Sequence, residues 1–237
     1  MSISSGPSIV TNNLSLALDA GDTRSYSGTG STWYDLSSNK YYASMYGSVP
    51  FITDTAPCFN FASATGSSAG TSSLGFSVSS SVTPATGNYT FEVWVKEVNA
   101  GVGQMGLISN AGGADGFRFG AGSDGIYFLC GPNYTEGGIT WVSAFNNSIW
   151  HQCVAVFDRT GVSGSPRVQT YLDGQYQNYG SLPSLQTSQN NSAPGIVRSP
   201  CCSLFTGKLA LVHIYTSALS ADNISQNFNA LRGRYEI

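Results

Sequence analysis

The sequence predicts an all-β protein: a sandwich or jelly roll of two antiparallel sheets with a short helix at its C-terminal end. Three observations predict it. Apolar and polar residues alternate with period two in one short stretch after another, and clusters of Gly, Ser, Asn and Asp separate the stretches. Turn signals recur about every 8–12 residues, the spacing of sandwich strands. Apolar residues make up 41% of the 237, enough for one sizeable core, and all-β folds of this length form undivided. Residues 1–237 are therefore read as one domain.

Taken in order, "LSLAL" puts Leu14, Leu16 and Leu18 on one strand face, and "LGFSV" does the same with Leu74, Phe76 and Val78. "YTFEVWVKE" sends Phe91, Val93 and Val95 one way and Glu92, Trp94 and Lys96 the other. "WHQCVAVF" (150–157) and "RVQTYL" (167–172) follow. The second ends at Asp173-Gly174, a pair that tolerates positive φ and signals a two-residue hairpin, with "QYQNY" as the return strand. Stretches 20–32, 62–73 and 181–200 read as surface loops rich in Gly, Ser, Asn and Pro. From Leu209 to Tyr215 both faces are apolar, Leu209 and Leu211 on one, Ala210, Val212 and Ile214 on the other. Such a strand is covered on both sides. Ser220 is then a good N-cap with Asp222 and Asn223 in the first turn, and Ile224, Phe228 and Leu231 form one apolar stripe before Gly233. That helix is expected to lie back over the sandwich.

Composition excludes several functions. Charged residues are only 10% of the chain, the net charge is −3, and the ten Lys and Arg are scattered. Nucleic-acid binding wants a clustered basic face, so it is set aside. No apolar run approaches the roughly 18–20 residues that cross a bilayer, so membrane insertion is not expected. "MSISSGPSIV" lacks both a basic start and an apolar h-region, which predicts synthesis in a cytoplasm without signal-directed export. Six Asn-x-Ser/Thr matches, at Asn13, Asn88, Asn133, Asn146, Asn190 and Asn223, are expected by chance in this composition. Five cysteines cannot all pair, and their spacing fits no zinc pattern. Cys153 inside "HQCVAVF" reads as a small hydrophobe, whereas the adjacent Cys201 and Cys202 leave redox or intermolecular chemistry open.

The closing stretch "FTGKLALVHIYTSALSADNISQNFNALRGRY" (205–235) resembles the last strand and helix of the laminin-G-like, concanavalin A-like lectin/glucanase superfamily. "YTFEVWVK", "WHQCVAVFD" and "VQTYLDGQ" resemble its tryptophan strand, its Trp-His strand and its Asp-Gly hairpin. "LSLALDAGDTRSYSGTGSTWYDLSS" and "QNFNALRGRY" resemble the two ends of such domains in tailed-bacteriophage virion proteins. The resemblance implies a concanavalin A-like jelly roll and a virion structural protein on the particle surface, as capsid decoration or as a fibre or appendage component. It also implies other capsid or tail proteins as partners, self-association, and glycans of a host or its surroundings as ligands. Two departures matter. Many relatives carry an acidic residue near a calcium site where Ala210 stands here, and their carboxylate-bearing Phe-Asp-Gly segment is reduced to "CFNFASAT".

Catalysis finds little support. Glycoside cleavage needs two carboxyl groups facing the scissile bond. The retaining glucanases of the resembled superfamily place theirs as Glu-x-Asp-x-x-Glu. None of Glu92, Glu97, Glu136 and Glu236 sits two or three residues from an aspartate. No Gly-x-Ser-x-Gly elbow is present, and His151 and His213 lie inside strands, where a packed or hydrogen-bonded role is the simpler one. No catalytic residue is assigned. For calcium, Asp19, Asp22 and Asp35 could converge in the front segment; the alternative is that they shape turns through nearby backbone N–H groups. No other cofactor is indicated. For a sugar, which offers an apolar face and a ring of hydroxyls, aromatic plates beside polar groups are needed. "TWYDLSSNKYY" supplies Trp33, Tyr34, Asp35, Tyr41 and Tyr42, and "GPNYTEGGITW" supplies Tyr134 and Trp141. The competing reading has Trp33 and Tyr34 plug one end of the sandwich.

Overall fold

The computed structural model describes residues 7–53, 55–61, 74–83, 87–97, 105–110, 117–122, 125–130, 136–140, 148–162, 165–181, 193–197 and 205–237. In chain order the strands are β1 (Leu14–Asp19), β2 (Thr32–Tyr34), β3 (Tyr42–Tyr46), β4 (Phe51–Ile52), β5 (Cys58–Asn60) and β6 (Gly75–Val78). There follow β7 (Tyr89–Glu97), β8 (Met105–Ser109), β9 (Phe117–Gly122), β10 (Gly125–Cys130) and β11 (Glu136–Thr140). The chain ends with β12 (Trp150–Val162), β13 (Ser165–Leu172), β14 (Gln175–Ser181), β15 (Gly195–Ile196), β16 (Gly207–Tyr215) and helix α1 (Ala221–Leu231).

The strands form two antiparallel sheets. One runs β14-β13-β12-β7-β16-β5-β4, with β1 also on β16; the other runs β11-β10-β9-β8-β15-β6-β3-β2. Between them lies the main core, filled by the residues the alternation predicted: Leu16, Leu18, Phe76, Val78, Phe91, Val93, Val95 and Cys153. Cys153 and Cys58 are fully buried, as a hydrophobe's role requires. Aromatic rings pack within and between the sheets. Tyr89 stacks on Phe157, its neighbour in the first sheet, at 4.6 Å, and Phe91 stacks on Phe117 across the two sheets at 4.8 Å. The Asp173-Gly174 turn has φ of 51° and 75°, the two positive values a tight hairpin demands.

Helix α1 covers the outer face of the first sheet and so adds a third layer. Ser220 caps it, accepting a hydrogen bond from the Asn223 N–H at 3.2 Å. Trp94, fully buried, lies between Phe228 (5.9 Å, interplanar 1°) and Tyr235 (4.1 Å, 14°). Ile224 packs with Val154, Val156, Tyr171 and Tyr215.

Four expectations need correction. Leu14, expected on the face of Leu16 and Leu18, packs with the outer cluster around Tyr215 instead, across a register shift between Leu14 and Leu16. Strand β16 is covered on both faces, but its residues divide differently: Leu209, Val212 and Ile214 face the main core, and Ala210 and Leu211 face outward. The cause is an irregularity between Leu209 and Leu211, opposite Val95 and Trp94, which inserts Ala210 and reverses the alternation beyond it. The extra residue is where the other edge of β16 passes from β5 to β1, and the Ala20 N–H bonds to the Ala210 carbonyl there. On α1, the fully covered residues are Ile224, Asn227 and Leu231, with Phe228 at the margin. Gly195–Ile196, read as loop, is a short strand that joins β6 to β8.

Candidate functional site

Strands β2 and β3 pair so that Trp33 and Ala43 point into the core while Tyr34 and Tyr42 point out, directly opposite each other. The step of two along β3 adds Ser44 and Tyr46 to the same outer face, and Ser77 lies beside Ser44 on β6. Tyr34, Tyr42 and Tyr46 are 55%, 46% and 45% exposed. Tyr46 lies four positions beyond Tyr42, so the stripe extends about 13 Å along the strand. Its rings are interleaved with hydroxyls and carry no charge.

At the end of the sandwich where β3 begins, a groove of about 470 Å³ opens between the Thr11–Ser15 segment, the Ser38–Tyr41 loop, Ser81–Thr83 and Thr216. Its lining holds hydroxyls, amides and one tyrosine ring, Tyr41, and no charged side chain. Asn13 reaches it from a backbone of φ 60°, a conformation asparagine tolerates better than most residues. Groove and tyrosine stripe follow one another on the chain at Tyr41 and Tyr42.

The sequence-predicted ligand residues divide. Tyr34 is on the surface. Trp33 has no exposed area; it packs on Phe59 at 4.8 Å and Phe76 at 5.3 Å, so it closes the sandwich and cannot serve as a sugar plate. Asp35 is also withdrawn. Its Oδ1 accepts from the Ala17 and Ser37 N–H groups, both at 2.8 Å, and its Oδ2 from the Ser37 hydroxyl at 2.6 Å and the Tyr41 N–H at 3.1 Å. Four donors around one buried carboxylate fix the turn that carries Tyr34 and Tyr41. Tyr134 and Trp141 lie outside the described residues, as do Cys201 and Cys202. Sequence reasoning missed Tyr46. The run "YASMY" carried the signal, since its first, third and fifth residues share one face.

The calcium candidates do not fit a cation. Both Asp19 oxygens accept from Arg234 Nη1 at 2.7 Å, and Oδ1 also accepts from the Gly21 N–H at 2.8 Å. Asp22 closes on Arg24, whose Nη2 lies 2.6 Å away, and this hydrogen-bonded guanidinium lowers the carboxyl's pKa. Asp35 is consumed as described. Among the described residues no group of three or more His, Cys, Asp or Glu could hold a metal. The shared cause is that each carboxylate already has its donors within the chain.

A second polar group lies under α1. Glu92 is wholly buried; its Oε1 accepts from Gln152 Nε2 at 2.7 Å, and its Oε2 from Asn227 Nδ2 at 2.7 Å with His213 Nδ1 3.4 Å away. Asn227 also donates to Tyr215 Oη at 2.9 Å and accepts from the Val10 N–H at 2.8 Å. Burial, then the Glu92 charge, pushes the Tyr215 phenol pKa up. His151 Nδ1 sits 2.7 Å from Asp173 Oδ2 at the hairpin. Glu92 is thus sealed by amide donors beneath a helix. It has no path to a substrate, and its work is to fasten α1 and the N-terminal segment to the sheet.

The comparisons with known proteins bear on this fold. A family model described as concanavalin A-like lectin/glucanases superfamily matches residues 68–225. The chain belongs to that superfamily. No curated protein gives a significant match in sequence. Among solved structures, this superfamily member is similar to the binding domain of Paraclostridial Mosquitocidal Protein 1, with a TM-score of 0.66 and 16% identity over 92% of the chain and 52% of that structure. It is likewise similar to the receptor binding domain of botulinum neurotoxin type G (TM-score 0.64, 12% identity, 92% of the chain and 51% of that structure). A third is the receptor binding domain of botulinum neurotoxin D (TM-score 0.68, 12% identity, 91% and 52%). The chain spans about half the length of these structures, and likeness at such identity establishes the fold.

Proposed function

We propose that this chain is a non-enzymatic glycan-binding protein, displayed on the surface of a phage particle as capsid decoration or as a fibre or appendage component. The observation that carries the glycan reading is the outward stripe of Tyr34, Tyr42 and Tyr46, interleaved with hydroxyls and followed by an uncharged groove. Tyrosine faces meet the apolar C–H face of a pyranose, and hydroxyls and amides meet its rim. Because the lining is neutral, the preferred ligand of this face is a neutral, hydroxyl-dense polysaccharide. Support for a non-enzymatic role comes from Glu92, which is spent on structure, and from Asp19, Asp22 and Asp35, each held by donors of its own chain. The similar solved structures named above are all binding domains, which agrees with an adhesive use of the fold.

Support for the particle rests on the two terminal stretches that resemble virion proteins. In this setting the protein is made in the host cytoplasm, docks on capsid or tail proteins, and associates with its own copies. Mass spectrometry of purified particles tests it: the chain is expected among their components, and its absence removes the virion setting. A second reading, a free soluble lectin, keeps the same tyrosine face. It predicts glycan affinity in a protein that no particle carries.

A further inference from the structure

The tyrosine stripe and the neutral groove are two parts of one surface, and the ladder between β3 and β6 shows how they join. Along β3 the outward residues are Tyr46, Ser44 and Tyr42, with Tyr34 of β2 opposite Tyr42 and Ser77 of β6 opposite Ser44. The pairing does not stop where β6 ends. The Ser79 N–H donates to the Tyr42 carbonyl at 2.8 Å, and the Tyr42 N–H donates to Ser79 Oγ at 3.1 Å. Beyond that pair both strands run off the sheet at the same end. β3 leads back into Tyr41 and β6 leads on into Ser81 and Thr83, and these three residues line the groove. The stripe passes into the groove without interruption.

The surface is open at both ends. Gly47 and Ser48 are exposed beyond Tyr46, and Thr11, Asn13 and Thr216 are exposed at the groove. A site for the end of a chain has to enclose it, as pockets that bury most of a small ligand do. Here Tyr34, Tyr42 and Tyr46 are half-exposed rings on an open sheet face, so one sugar meets one ring and a hydroxyl or two. Weak contacts of this kind accumulate when the sugars belong to one chain, since each contact after the first is intramolecular. The surface is also held ready for its ligand. Four donors to Asp35 fix the turn under Tyr34 and Tyr41, and Ser79 holds the backbone of Tyr42.

We propose that stripe and groove are one continuous site for the interior of a neutral polysaccharide, which lies along β3 over several consecutive sugar units. Its rings meet Tyr46, Tyr42 and Tyr34, and the units beyond enter the groove beside Tyr41. This inference rests on the glycan reading of the face and adds the mode of binding, an internal segment and not a chain end. Adhesion then takes place anywhere along a polymer.

Isothermal titration calorimetry of the full chain tests this, with oligosaccharides of cellulose, amylose, mannan and xylan from the single sugar to the hexasaccharide. In a series that binds, affinity is expected to rise at least tenfold from disaccharide to hexasaccharide, more than the extra registers of a longer chain supply. A hexasaccharide methylated at both chain ends should bind within threefold of the free one. Y46A lies at one end of the path, and S38W fills the groove from an exposed loop position at the other. Each should bring the hexasaccharide to within threefold of the disaccharide, with the melting temperature retained. Y179A, on β14 in the other sheet, should keep the parent's dependence on length. Equal affinity for disaccharide and hexasaccharide, a tenfold loss on capping, or an intact length gain in either Y46A or S38W would overturn the proposal and leave the glycan reading in place. Binding in none of the four series would overturn both.

Discussion

Replacing Asn227 by alanine should loosen the C-terminal helix from the sheet. The side chain makes three hydrogen bonds: to Glu92 Oε2 at 2.7 Å, to Tyr215 Oη at 2.9 Å, and from the Val10 N–H at 2.8 Å. In the variant Tyr215 still donates to the Val10 carbonyl at 3.1 Å, so its loss is partial. The Val10 N–H loses its acceptor, at about 1 kcal/mol, and a buried carboxylate loses a close donor, at about 1.5–3 kcal/mol. With the small void left by truncation, the sum is about 3–5 kcal/mol, the range seen when a buried charge loses a partner. For a chain of this size that is a fall of roughly 6–20 °C in Tm. Thermal melts followed by circular dichroism measure it. Asn229→Ala, two residues on and exposed, is the control and should stay within about 0.5 kcal/mol of the parent. A loss below about 1 kcal/mol in Asn227→Ala would refute the reasoning, because Glu92 would then not depend on the helix.

Three other predictions follow the same physics. Burial raises the pKa of both Tyr215 and Tyr235, so above the ordinary tyrosine value of 10.0 the unfolded chain loses protons that the folded chain keeps. Stability is complete below that pH and falls above it, by up to about 1.4 kcal/mol per pH unit for each phenol; Tyr26 and Tyr171 are raised by burial in the same direction, so unfolding and phenolate absorbance should rise together, and Tyr235→Phe should lower the slope by one phenol's share. Gly75→Ala should abolish folding, since its Cβ would lie 2.5 Å from the Ile196 carbonyl oxygen at a φ of 130°, whereas Gly233→Ala meets nothing within 4 Å and should melt as the parent does. Chelation of divalent cations should leave Tm unchanged within error, because Asp19, Asp22 and Asp35 are already satisfied by Arg234, Arg24 and backbone amides; a fall of several degrees would restore the calcium reading.

Much of the fold was legible because alternation is a local signal. Leu16, Phe76, Phe91 and Val93 fall in the core as their spacing requires, and Asp173-Gly174 makes the turn its backbone freedom allows. Ala210 was not legible. Whether a β-strand carries an inserted residue depends on its neighbours, and here β16 changes partner from β5 to β1 at that point. The polar group under α1 was hidden for a similar reason: Glu92, Gln152, His213 and Asn227 are far apart on the chain, and the β7–β12 and β7–β16 registers together with the seating of α1 bring them together. At the candidate site, the sequence left Trp33 open between a sugar plate and a plug at one end of the sandwich, and its complete burial makes it the plug. The same period of two that sends Trp33 inward sends Tyr34 outward, and pairing of β2 with β3 decides which. Asp35 looked like a ligand because a carboxylate that binds sugar or metal and one that caps a turn have the same local sequence.

Adhesion through the tyrosine face is the claim on which the functional account stands. A glycan-array measurement on the parent and on a Tyr34→Ala, Tyr42→Ala double variant addresses it most directly. The account predicts saturable binding of neutral glycans by the parent and at least a tenfold loss in the variant, with the melting temperature retained. Equal binding by both proteins, or reducing-sugar release from a bound glycan, would contradict it.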